Sequence, residues 1–181
     1  MVISRGPLYL RKIFKMIRKL FGLIIVILSF IQLSCIKANQ GCIYNPCQYV
    51  APASEIQAVS SYLSSHGLTA TQHCSGMFYS ITNPGSAKSP DGCSLVRLTY
   101  SGRLTTGAVF DSQGNPVSID LNRVILGWRS GLPLIKEGGF ITLYIPPSLG
   151  YGSQEVKDAS GNVVIPANSM LIFEISLTSV Q

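Results

Sequence analysis

Proton transfer near neutral pH usually calls on histidine or on a matched pair of acids, and this chain is poor in both. Its 181 residues include two histidines, His66 and His73, and none follows position 73. The eight acidic residues are scattered without an evident acid/base pair. There is no G-x-S-x-G elbow, no Gly-rich phosphate loop and no H-E-x-x-H motif. A hydrolase or phosphotransferase would have little to work with. What remains is a set of aromatic and aliphatic residues close to turns, among them Tyr100, Phe110, Trp128, Tyr151 and Phe173. Taken singly, such residues are most often core. Their order along the chain is what gives them meaning.

The cysteines carry the other chemistry. Cys35 stands just past an apolar run, in Leu33-Ser34-Cys35. Setting it aside leaves Cys42, Cys47, Cys74 and Cys93, an even number that suits disulfides in an exported chain. Four cysteines allow three pairings. The favoured one joins Cys42 to Cys47 across Tyr-Asn-Pro, and Cys74 to Cys93 across the ends of a hairpin-like excursion. A zinc site is the alternative, but the spacings lack paired C-x₂₋₄-C knuckles and the two histidines form no partner motif, so no metal is expected.

Charge and hydropathy divide the chain. Six of the fourteen basic residues and none of the eight acids lie in residues 1–34, so the remainder is balanced. The net charge of +6 therefore belongs to a leader, and the body has no electrostatic footprint for nucleic acid. Leu20 to Leu33 is apolar but for Gly22, Ser29 and Gln32, and Arg18 and Lys19 precede it. A positive region before a short apolar run reads as a secretion signal, and a spanning helix would need about 20 apolar residues. Met16 would give that signal a more compact start. The expected organisation is a signal in 1–35, an N-terminal extension in 36–76 and a main domain in 77–181.

The elements that must position the aromatic set follow. Ser54, with Gln57 three residues on, reads as a capping box opening a helix over Glu55 to Ser65, with Ile56, Val59, Tyr62 and Leu63 as its packing stripe. Strands are expected over Met77–Ile81, Leu95–Leu104, Ala108–Phe110, Val117–Leu121, Ile141–Ile145 and Met170–Leu177. Val124 to Leu132 gives a short, apolar, helix-like pattern, and Ser86 to Gly92 reads as a loop. The fold class is α+β: about five or six antiparallel strands around one short helix.

Six segments then follow in one order: Tyr100-Ser101-Gly102, Gly107 to Ser112 (GAVFDS), Val124 to Trp128 (VILGW), Ile145 to Gly152 (IPPSLGYG), Val164 to Asn168 (VIPAN) and Leu171 to Glu174 (LIFE). This series resembles the FK506-binding family of peptidyl-prolyl isomerases, over Val96 to Gln181. The extension before it is similar to those of exported bacterial members, and the Cys35 context resembles a lipoprotein signal, although Gln32 departs from the usual aliphatic residue.

The resemblance implies a half-open sheet wrapped around the helix, with an apolar pocket between. Trp128 would be its floor, and Tyr100, Phe110, Val124, Ile125 and Phe173 its walls. Tyr151 would offer its hydroxyl, and Ile165 its backbone N–H, to substrate carbonyls, with Asp111 at the rim. The implied function is rotation of X–Pro bonds in unfolded or partly folded polypeptides, without a cofactor. Macrolide inhibitors and, through acylated Cys35, a membrane would be further partners, in the periplasm or cell envelope.

Three departures bear on the site. Val117 stands where an aromatic wall residue is usual, and Asn122 replaces a glycine after Leu121. The loop from Tyr151 to Val164 is longer than in the smallest members and would overhang the pocket. A catalytically weak peptide-binding module of the same fold is the alternative function, and a disulfide-stapled envelope protein a more distant one.

Overall fold

The structure, a computed structural model, describes residues 42–181; the expected signal and Cys35 lie outside the described residues. A helix α1 (Ala53–Ser65) leads into strands β1 (Thr71–Gln72), β2 (Phe78–Asn83), β3 (Leu95–Leu104) and β4 (Val109–Asp120). A short helix α2 (Leu126–Gly131) and β5 (Phe140–Ile145) come next, then β6 (Val156–Lys157), β7 (Val163–Ile165) and β8 (Leu171–Val180). Six strands form one antiparallel sheet in the order β1-β2-β5-β8-β3-β4, while β6 and β7 pair in a separate ribbon. Among the described residues, no helix is long and apolar enough to cross a membrane.

The central strand explains both layers. In β8, Leu171, Phe173 and Ile175 join the larger core with α2, and Ile172 joins a second cluster under α1. Burial on both faces at its start is why the strand opens on the apolar run Leu171-Ile172-Phe173, before it alternates through Glu174, Ser176 and Thr178. The second cluster is built from a cross-strand row, Phe78–Tyr144–Ile172, roofed by Val59 and Leu63 of α1. The apolar stripe read from the sequence is thus a packing face.

On the other layer, α2 lies close to the sheet because two of its residues lack side chains. A Cβ on Gly127 would meet Ile145 at 2.6 Å, and one on Gly131 would meet Leu143 at 2.7 Å. These glycines stand one turn apart on the same helix face.

Three expectations need correction. The pairings are Cys42–Cys93 and Cys47–Cys74, with Cα separations of 5.6 and 5.3 Å. An Asx turn at Asn45 sends Cys47 onward instead of back to Cys42. Ala51 N–H then donates to Ser75 O at 2.9 Å, which draws that stretch beside the Cys74 turn.

Helix α1 opens at Pro52, so Ser54 is already inside the first turn and forms no capping box. Glu55 there accepts from Ser148 N–H at 2.9 Å instead. The two strands expected over 108–121 are one, because β4 is an edge strand with a bulged register, where Pro116 loses no required hydrogen bond. The long loop, for its part, holds the β6–β7 hairpin.

Candidate functional site

The pocket begins with Trp128, which is 4% exposed and meets two rings edge-on: Tyr100 at 5.0 Å and 81°, and Phe173 at 5.1 Å and 87°. Phe110 packs edge-on to Phe173 at 5.4 Å. Such T-shaped contacts let the positive edge of one ring meet the negative face of the next. The box closes tightly at Gly102 of β3, where a Cβ would meet Phe173 at 2.6 Å and Phe110 at 2.7 Å. Trp128 also keeps a buried Nε1–H without a hydrogen-bond partner in the protein. An unpartnered buried donor costs about 1–3 kcal/mol, more than a position serving stability alone would be expected to carry.

The floor is braced from behind. Ser130, two residues past Trp128 and buried, lies 2.6 Å from the Tyr44 hydroxyl. Arg129 donates to Gly92 O at 2.7 Å and to Asn122 Oδ1 at 3.0 Å, and its guanidinium lies 4.1 Å from the Tyr44 ring centroid. Asn122 in turn donates from Nδ2 to Cys93 O at 3.3 Å. Asn122, in the place of the expected glycine, is therefore a clamp between the Cys93 loop and α2.

The resulting cavity is about 390 Å³ and is lined by Tyr100, Phe110, Asp111, Val124, Ile125, Trp128, Tyr151, Ile165 and Phe173, all read from the sequence. That volume lies within the usual range for a small-ligand pocket. Val117 is not among its lining residues: it pairs with Leu98, and Ile119, two residues along on the same strand face, takes the wall. The smaller wall expected from Val117 is thereby withdrawn. Ile119, Arg123, Val156 and Val164 complete the lining and were missed. The signal for the two valines was present, since Val156-Lys157 and Val163 to Ile165 flank Asp158…Gly161-Asn162, a hairpin pattern.

The polar groups are few. Tyr100 donates its hydroxyl to Asp111 Oδ2 at 2.7 Å. Burial, then the hydrogen bond to Asp111, pushes the Tyr100 phenol well above its ordinary value. Burial raises Tyr151 too, with the Asp111 charge adding to it. Both phenols therefore remain protonated donors across the neutral range.

Tyr151 is held at the mouth, 41% exposed, by the loop around it. Gly152 N–H donates to Pro147 O at 2.8 Å, and Asn168 N–H to Gly152 O at 2.7 Å. Gly152 has φ +60° and Asn168 φ +57°, left-handed conformations that glycine and asparagine tolerate best.

Residues 86–178, just over half the chain, match the family described as FKBP-type peptidyl-prolyl cis-trans isomerase. The chain belongs to this FKBP-type family. It is 43% identical over 109 residues to the FKBP-type peptidyl-prolyl cis-trans isomerase FkpA of Buchnera aphidicola, a match covering 59% of this chain and 43% of that one. The crystal structure of FkpA from Escherichia coli superposes with a TM-score of 0.60 at 33% identity, covering 71% of this chain and 60% of that one. A peptidyl-prolyl cis-trans isomerase of Pseudomonas syringae gives a TM-score of 0.61 at 28% identity, covering 72% of this chain and 97% of that one. The matched stretch spans 38% to 44% of the length of the first curated relatives.

Two further groupings lie outside the pocket. Cys47, His73 and Cys74 stand together, as do Cys42, Asp91 and Cys93. In each, the two sulfurs are joined to one another, so neither pair offers thiolates to a metal.

Proposed function

We propose that this protein is a peptidyl-prolyl cis-trans isomerase acting on X–Pro bonds of unfolded or partly folded polypeptides. The observation that carries it is the aromatic box over Trp128, with Tyr151 at its mouth and Ile165 in its wall. Rotation of an amide is opposed by roughly 18–20 kcal/mol because resonance gives C–N partial double-bond character. That resonance separates charge, so an apolar, water-poor cavity disfavours the planar amide relative to the twisted one. The proline ring seats on Trp128, the Tyr151 hydroxyl and the Ile165 N–H donate to carbonyls, and Asp111 polarises the rim through Tyr100. A site that fits the twisted amide better than either planar isomer lowers the barrier by differential binding. The pocket's own residues supply that fit without a nucleophile.

The setting proposed is outside the cytoplasm. The leader reads as a secretion signal, and Cys35 as the acylated anchor that ties the protein to a membrane surface. Two disulfides between distant segments support an oxidising compartment. Macrolides, which would occupy the same apolar box, are the proposed inhibitors. The second reading, a peptide-binding module with weak catalysis, draws on the hairpin that brings Val156 and Val164 over the pocket.

The test is the cis-to-trans rate of a short X–Pro peptide with and without the purified protein. Acceleration that disappears in Trp128→Ala but survives a distant surface substitution is expected. A folded sample that binds the peptide without accelerating it would favour the second reading.

A further inference from the structure

We infer that Arg123 is a specificity residue that selects proline segments carrying a carboxylate within two residues of the proline, an inference that rests on the isomerase reading above. Among the described residues, two charged side chains line the pocket, Asp111 and Arg123. They differ in how far they are committed. Asp111 accepts the Tyr100 hydroxyl at 2.7 Å, so part of its charge is answered inside the pocket. Arg123 is 86% exposed along its side chain, and its one ion pair is a contact from Nε to Asp120 Oδ2 at 3.8 Å.

Asp120 is itself already engaged. Its Oδ1 accepts from Asn122 N–H at 2.9 Å, capping the turn Leu121–Arg123. The neighbouring amide of Asn122 is taken as well, by Arg129 and by the Cys93 carbonyl. A single-point exposed pair near 4 Å contributes little, and a substrate carboxylate able to engage both arms of a guanidinium competes well with it.

The base of the side chain, in contrast, is fixed. Leu121 in the same turn is fully buried, and Val124 and Ile125, the next two residues, are pocket walls. Arg123 thus lines the pocket from a fixed base with an exposed side chain. The hairpin facing the mouth turns Val156 to the cavity. Its exposed Glu155 and Lys157 are of opposite sign and adjacent, at 3.9 Å, so they add no net charge there. The Asp158 carboxylate is taken up by the N–H groups of its own turn. A carboxylate near the proline meets an available cation there. A lysine meets repulsion from Arg123, and an Asp111 already occupied.

The experiment scans Glu, Gln and Lys through the two residues before the proline and the two after it, using the purified full chain. Two readouts are followed: kcat/KM for isomerisation, and binding by the fluorescence of Trp128, the protein's one tryptophan. The expected result is a Glu-over-Lys preference of about two- to fivefold in at least one position, the size of an exposed ion pair. It should shrink with added salt, persist in Arg123→Lys, collapse in Arg123→Gln and invert in Arg123→Glu. A preference for Lys in the unmodified protein, or a Glu preference unchanged by Arg123→Gln, would overturn the inference. Binding preference without any isomerisation would support the role of Arg123 and count against the isomerase reading instead.

Discussion

The floor of the pocket and the hairpin above it are built in opposite ways. The floor is a six-residue helix with Trp128 at its centre, pressed onto Ile145 and Leu143 through Gly127 and Gly131 and tied from behind through Arg129 and Ser130. The hairpin is two short strands whose turn is gathered around the Asp158 carboxylate, which accepts from the N–H groups of Ser160 and Asn162 at 2.9 Å each and from the Asn162 side-chain amide at 3.1 Å. Valines 156 and 164 reach the pocket while Glu155 and Lys157 stay in solvent. On the proposed function, the difference teaches a division of labour: the floor would set what is bound and twisted, and the hairpin and rim would set which neighbours of the proline are welcome.

The largest effect is expected from breaking the floor. Trp128→Ala removes a buried ring and its two edge-on aromatic contacts, and should cost about 3–5 kcal/mol in urea unfolding, with loss of isomerisation. Replacing Cys42 and Cys93 by Ser, which frees the segment behind α2, should cost about 2–4 kcal/mol by the same measurement, since that bridge closes a separation of 51 residues. If Cys42→Ser with Cys93→Ser left both stability and activity untouched, the brace behind the floor would be ornamental.

Smaller effects sharpen the contrast. Tyr151→Phe deletes one donor and keeps the ring, so kcat/KM should fall by up to about tenfold with unfolding unchanged. Val156→Ala, on the hairpin, should leave unfolding within about 0.5 kcal/mol and shift relative rates among X–Pro peptides by only a few-fold. A Val156→Ala protein that lost activity as completely as Trp128→Ala would erase the distinction between floor and hairpin.

The floor was also the part most legible in the sequence. Val124 to Trp128 and Leu171 to Glu174 were legible through their resemblance to the family's motifs, in which Trp128 and Phe173 are the buried rings. The packing stripe of α1 was readable from its helical period. The cysteine pairing was not, since it depends on where the turns at Asn45 and Ser75 place distant segments in space. Continuity of β4 through Pro116 was hidden because edge position, which excuses proline, is a property of the assembled sheet. Arg123 was invisible as a rim residue, because a surface arginine carries no pattern until the wall beside it is known.

The most direct test of an apolar pocket working without acid–base exchange is the pH dependence of kcat/KM for an X–Pro peptide. Burial raises the phenols of Tyr100 and Tyr151 above their ordinary value of 10.0, so both keep their protons well past neutrality. A raised folded-state value means their contribution is complete below pH 10 and is lost only as pH climbs beyond it. The expected profile is flat from about pH 6 to 9, with decline beginning above about pH 10. A bell-shaped profile with a limb between pH 6 and 9 would contradict the account, because it would require a general acid or base in the reaction, and the account assigns none.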